Sequence, residues 1–169
     1  MIQFGIRMSL PKMTRLTREL DDALDEAVAR TAFKIQQNAT VRLTRAVYMH
    51  NRKPTPTGAL RASIYTRTSR STTYPEATSK AVGMRAKRGD AKASEKVAPS
   101  VTKPSKGEAW VGVGMLYGVF IEYPTRGRPG TYFMQGAADD TRGYFMEQVR
   151  LAINNAGQGA ILPANWGAR

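Results

Sequence analysis

The residue types that most often carry chemistry are few in this chain and widely spaced. It has one histidine, His50, and no cysteine, which excludes disulfides, thiolate nucleophiles and Cys-ligated zinc. His50 stands beside Asn51 and Arg52, a setting that suits a solvated imidazole at a helix end rather than a metal ligand. Asp21, Asp22, Asp25 and Glu26 form an acidic cluster. Such a cluster can hold a hard cation or supply an acid–base pair, but no histidine accompanies it and it reads as a solvated helix face. A middle reading makes it a docking surface for a basic arm of a neighbouring subunit. Gly112-Val113-Gly114 is part of a dinucleotide-binding fingerprint, yet residue 117 is Tyr where the third glycine belongs. Glu122, within Phe120-Ile121-Glu122-Tyr123, is the one carboxylate set in apolar sequence. A carboxylate buried there needs a partner: Arg61, Arg126 or Arg128, or backbone amides of the turn that follows. No nucleophile and base are paired by spacing, so no enzyme, catalytic residue, cofactor or metal is expected.

Charge is the strongest compositional signal. The formal net charge is +13 over 169 residues, which calls for an acidic partner: nucleic acid, an acidic protein surface or a membrane face. Residues 52–106 carry 13 Lys and Arg against Glu76, Asp90 and Glu95, so most of the excess lies in the middle third. Arg85, Lys87, Arg88, Lys92, Lys96, Lys103 and Lys106 are the candidate contacts to a partner protein or to DNA. Between Arg70 and Lys106 only Tyr74 is aromatic. Stacking on single-stranded bases is therefore not expected, whereas contact with duplex phosphates needs no aromatic residue.

These residues need elements to hold them. Leu16, Leu20, Leu24, Ala27, Val28, Ala32, Ile35, Ala39, Leu43 and Val47 recur at steps of three and four, which predicts an amphipathic helix over 14–50. Acidic residues crowd its first half and Lys34, Arg42 and Arg45 its second, complementing the helix dipole. Alternation predicts strands over 58–68 and 108–115, with Gly112 and Gly114 marking either a close approach of another backbone or a bulge. Residues 69–107 hold almost no large apolar side chain and read as a long basic extended arm able to span on the order of 100 Å. Its removal, over 72–104, is expected to leave the rest folded. A C-terminal helix is predicted over 132–154, weakened by Gly136 and Gly143, then a tail over 155–169 with Ile161, Leu162 and Trp166 as hydrophobic anchors that either dock on a partner or fold back on their own domain. The sum is one α+β domain: a long N-terminal helix, a small antiparallel sheet, a C-terminal helix, the arm and the tail. No stretch is apolar enough to span a bilayer or to serve as a secretory signal, so no membrane contact is expected.

Three segments, in this order, carry a resemblance. They are Pro54-Thr55-Pro56-Thr57-Gly58-Ala59-Leu60-Arg61-Ala62-Ser63-Ile64; Val111-Gly112-Val113-Gly114 with Tyr117-Gly118-Val119-Phe120-Ile121-Glu122-Tyr123-Pro124-Thr125; and Tyr132-Phe133-Met134-Gln135-Gly136-Ala137. Together they resemble the head–tail joining and tail-completion (neck) proteins of long-tailed bacteriophages, the minor tail protein Z-like family. Thr57, Gly58, Leu60, Tyr117, Glu122, Tyr123 and Thr125 carry the shared motif. Pro124 stands where the family has Gly, Gly136 where it has Pro, and residues 69–107 exceed the family's connection. The resemblance implies a structural virion protein, assembled in the host cytoplasm, that forms a ring of six copies around the DNA exit path. It implies head-completion, tail-terminator or tail-tube proteins as neighbours, with non-specific contact to genomic DNA. The alternative function is a basic accessory protein that binds duplex DNA non-specifically.

Overall fold

A computed structural model describes the backbone of residues 10–48, 58–125 and 129–161, and the side chains of 17–47, 58–125 and 129–156. Helix α1 runs over Leu10–Leu43 and its last turn loosens to a π-helical Thr44–Tyr48. A helical turn, α2 (Ala59–Ala62), leads into β1 (Ile64–Thr68). Helix α3 spans Tyr74–Ala86, a 3₁₀ turn covers Ser94–Lys96, and β2 is Ala109–Val113. The short α4 (Gly118–Glu122) precedes α5 (Phe133–Ile161). The α+β class, the long first helix, the small antiparallel sheet and the C-terminal helix are as expected from the pattern.

Helices α1 and α5 lie antiparallel, because Asn38 reaches Thr141 (3.0 Å) while Ala27 and Ala152 share one cleft towards the opposite ends. Most of the buried apolar positions on this pair are small, Ala27, Ala32 and Ala39 on α1 and Ala137, Ala152 and Ala156 on α5, which lets the two backbones approach closely. Phe133, Leu43, Ile64 and Met115 supply most of the volume of the core. The sheet packs on α1, and Gln36 is the tie: its amide nitrogen donates to Ile64 O (2.8 Å) and its oxygen accepts from Thr66 Oγ1 (2.8 Å).

Local differences have physical causes. The expected strand over 58–68 begins as a helical turn, since Gly58 takes a φ of 79° and its carbonyl accepts from Ala62 N. Leu60 is buried by that turn, which imitates strand alternation with Ile64. The expected tail over 155–169 is helical as far as Ile161; Leu162 and Trp166 lie outside the described residues, as do Thr57, His50, Arg126 and Arg128.

The largest correction concerns residues 69–107, which are folded rather than an extended arm. Helix α3 starts with Pro75 in its first turn, where the missing N–H costs nothing, and buries Ala77, Thr78 and Ala81 against α2 and β1. Ala93 is buried as well, and Tyr74 packs edge-on to Tyr65 at 4.9 Å. Small side chains do here what large ones usually do. Loss of residues 72–104 would uncover Ala59, Leu60 and Met115, so the rest is not expected to stay folded without them.

The glycines of β2 mark close approaches, as their spacing suggested. A Cβ on Gly112 would meet the Tyr65 ring at 2.7 Å, and one on Gly114 would meet Thr78 Cγ2 at 2.5 Å. Gly114→Ala is therefore expected to destabilise the chain by about 1–3 kcal/mol through overpacking, read as a lower urea midpoint. Adding Thr78→Ser, which removes the obstructing methyl, should restore most of that loss.

Candidate functional site

Leu60, Tyr117 and Glu122 of the shared motif meet at one joint between α2, α4 and the start of α5. Leu60 is 2% exposed and lies against Gly118, whose missing Cβ leaves room for Leu60 Cδ1 and Val113 Cγ1. Tyr117 is half-buried there; burial raises its pKa, outweighing the Arg85 guanidinium and a Leu60 backbone contact that favour the phenolate. The Arg85 guanidinium sits 5.2 Å from the centre of the Tyr117 ring.

Glu122 is 6% exposed and accepts from Met134 N and Gln135 N, both at 3.0 Å. Its partners are thus backbone amides, one of the two alternatives expected, but they belong to the first turn of α5. That turn has unpaired N–H groups and the positive end of the helix dipole, so a carboxylate held there is doubly favoured. The connection is closed by Tyr132 N donating to Glu122 O, Thr131 N donating to Ile121 O, and Tyr132 taking a φ of 47°. Gly136 N donates to Tyr132 O, a bond that a proline at 136 would lose. Tyr123 and Thr125 follow α4 directly, Tyr123 exposed and Thr125 half-buried.

The outer face of this joint is apolar. Leu116, Val119, Phe120 and Tyr123 are 50%, 61%, 65% and 54% exposed; Leu116, Val119 and Tyr123 edge a cleft of about 430 Å³ that reaches Met115 and Phe133. Large apolar side chains grouped on one short helix and its flanks are characteristic of a contact surface.

The expected basic contacts divide into two groups. Arg85 Nε and Lys96 Nζ both donate to Asp90, at 2.6 and 2.9 Å, and Lys106 pairs with Asp22 at 2.7 Å, so these three are engaged within the chain. Lys87, Arg88, Lys92 and Lys103 are exposed. Lys87, Lys92 and Lys103, together with the exposed Lys80 of α3, make no ion pair among the described residues. The arrangement is a cationic outer surface rather than a binding cavity.

The acidic cluster is a solvated face at Asp21, Asp22 and Glu26, which are exposed, but not at Asp25. Asp25 is 3% exposed and accepts from Ser69 Oγ (2.9 Å), Gly107 N (2.8 Å) and Arg70 Nε (3.0 Å). Both ends of the segment between the strands are thereby pinned to one carboxylate of the same chain. The basic partner foreseen in a neighbour is intramolecular. Asp25 falls seven residues before Ala32 and fourteen before Ala39 on the buried face of α1, a spacing that could have singled it out. Among the described residues, no group of three or more His, Asp or Glu is placed to hold a metal ion. No described helix is long and apolar enough to cross a membrane.

Fold and site together define a small α+β domain: an antiparallel helix pair carrying a two-stranded ribbon, with an exposed apolar joint and a cationic outer surface. Comparisons with protein-family descriptions, with curated proteins and with solved structures find no match.

Proposed function

We propose that this chain is a non-enzymatic structural subunit of a long-tailed bacteriophage, a neck or tail-completion protein that assembles as a ring, of six copies, at the head–tail joint. One observation supports this reading above the rest. The three segments that carry the family resemblance are distant in sequence, yet they form a single joint through Leu60, Gly118, Glu122 and Phe133. Their shared residue types serve to set the angle between α4 and α5, which is scaffold work. The apolar face beside the joint then contacts neighbouring head-completion, tail-terminator or tail-tube proteins. The exposed lysines face acidic protein or passing DNA.

The reading is tested with Phe120→Glu. Phe120 is 65% exposed, so the variant should keep its thermal midpoint while losing incorporation into particles, seen by mass spectrometry of purified virions and by tailless heads in negative stain. Normal incorporation of the variant would count against this surface, and absence of the parent chain from virions would sink the neck assignment. The accessory DNA-binding role is favoured by the free lysines alone. Its signature is duplex-DNA affinity that falls steeply between about 50 and 200 mM salt.

A further inference from the structure

The two edges of the β-ribbon are treated differently. The outer edge of β1 is covered by its own chain: Thr66 N donates to Thr73 Oγ1 (2.9 Å), Thr73 N to Thr66 O (2.9 Å) and Thr68 N to Ser71 O (2.8 Å). Ile64, Thr66 and Thr68 therefore direct their backbone groups away from β2, and Tyr65 and Arg67 exchange bonds with Gly112 and Trp110. Antiparallel geometry then turns the N–H and C=O groups of Ala109, Val111 and Val113 outward. Among the described residues nothing bonds to them. An open edge of this kind is a template for one more strand.

Beside that edge lies an apolar groove of about 550 Å³. Val28, Ala32 and Ile35 of α1 form its floor, and Met134, Ala138 and Phe145 of α5 its far wall. Its one charged lining residue is Glu108. An added strand would thus pair with β2 on one side and press alternate side chains into the groove, as in β-strand addition.

The chain contains a segment of that pattern. Residues 1–9 read Met-Ile-Gln-Phe-Gly-Ile-Arg-Met-Ser, with apolar Ile2, Phe4, Ile6 and Met8 alternating with Gln3, Gly5, Arg7 and Ser9. Alternation over eight residues is the signature of a half-buried strand. Arg7, its one charged side chain, complements Glu108. The segment joins α1 at Leu10, whereas the groove starts at Val28, about 27 Å along the helix at 1.5 Å per residue. Nine extended residues cover only about 30 Å, so almost none would remain to lie along β2 of the same chain.

We propose that residues 2–8 of a second copy add as a strand to the open edge of β2, with Ile2, Phe4, Ile6 and Met8 seated in the groove between α1 and α5. The inference rests on the ring reading in requiring a second copy, and it names the contact that joins neighbours. Repeated head to tail, such an exchange closes into a ring when the rotation per subunit permits.

Two full-length variants test it by analytical ultracentrifugation over a range of concentrations. Phe4→Asp with Ile6→Asp disables the strand, and Ala138→Arg, at an exposed position, fills the groove. Each should weaken association at least about tenfold relative to the parent, with unchanged circular dichroism. Mixed together, they should restore a one-to-one pair, because one still offers an open groove and the other an intact strand. Unchanged association in both variants would overturn the exchange and leave the ring reading standing. A parent that stops at dimers, which the variants dissociate, upholds the exchange and removes the ring. A parent that stays monomeric throughout overturns both.

Discussion

Replacing Asp25 with alanine is expected to lower the free energy of unfolding by about 3 kcal/mol, a large share of the roughly 5–15 kcal/mol typical of a domain. The carboxylate is 3% exposed and accepts from Ser69, Gly107 and Arg70. Its removal leaves an enclosed amide and hydroxyl without acceptors, and losing one side of an occluded, charge-assisted network costs about 2–5 kcal/mol. Both ends of the 69–107 segment would be released together. Amide hydrogen exchange should therefore accelerate across α3 and β2 before it does in α5.

The pH dependence has a definite sign. Burial pushes the Asp25 pKa up, but the Gly107 amide, the Ser69 hydroxyl, Arg70 and Lys106 together pull it down, and the net value is lowered from 3.8. A depressed carboxylate stabilises the fold fully above its unfolded value, and that contribution is lost as pH falls through the folded value. Asp22, held by Lys106, and Asp90, held by Lys96 and Arg85, are shifted the same way. Stability should therefore hold from neutrality to about pH 5 and collapse below about pH 4. Urea midpoints measured from pH 6 to 2.5 should show this fall in the parent and a shallower one in Asp25→Asn. Parallel curves would assign the acid loss to other carboxylates.

Glu122→Ala is the second large effect, with an expected loss of about 2–3 kcal/mol. It deprives the Met134 and Gln135 amides of their acceptor at a buried helix start and removes the negative charge facing the dipole. Glu122→Gln keeps an acceptor oxygen and should lose roughly 1 kcal/mol. The ordering Gln above Ala, measured by urea unfolding, separates amide capping from simple volume. Because the carboxylate fixes α4 against α5, the alanine variant should also lose the assembly proposed for the parent at temperatures where it is still folded.

The long helices were readable because amphipathic periodicity is local: every third or fourth residue from Leu20 to Leu43 reports one face. The need of Glu122 for a partner was readable from its apolar neighbours. Which amides would satisfy it was not, since Met134 lies twelve residues away and meets it only through the turn at Thr131 and Tyr132. The segment 69–107 was misread for a related reason. Ala77, Ala81 and Ala93 carry little hydrophobic signal in sequence, yet they are buried; Gly58 and Gly114 leave room for Met84 and Thr78 of α3, the helix that carries Ala77 and Ala81.

Residue types and local spacing were enough for the absence of cysteine chemistry, the excess of positive charge, the two long helices, the paired strands and the glycines at close approaches. Each is signalled by composition or by the residue pattern within one element, even where the contact itself, as between β1 and β2, joins distant stretches of chain. The role of Asp25, the intramolecular use of Arg70 and Lys106, and the open edge of β2 beside its apolar groove came only from the folded chain. They depend on which distant small residues pack together and on which backbone groups remain unpaired afterwards, and neither is encoded in any single stretch of sequence.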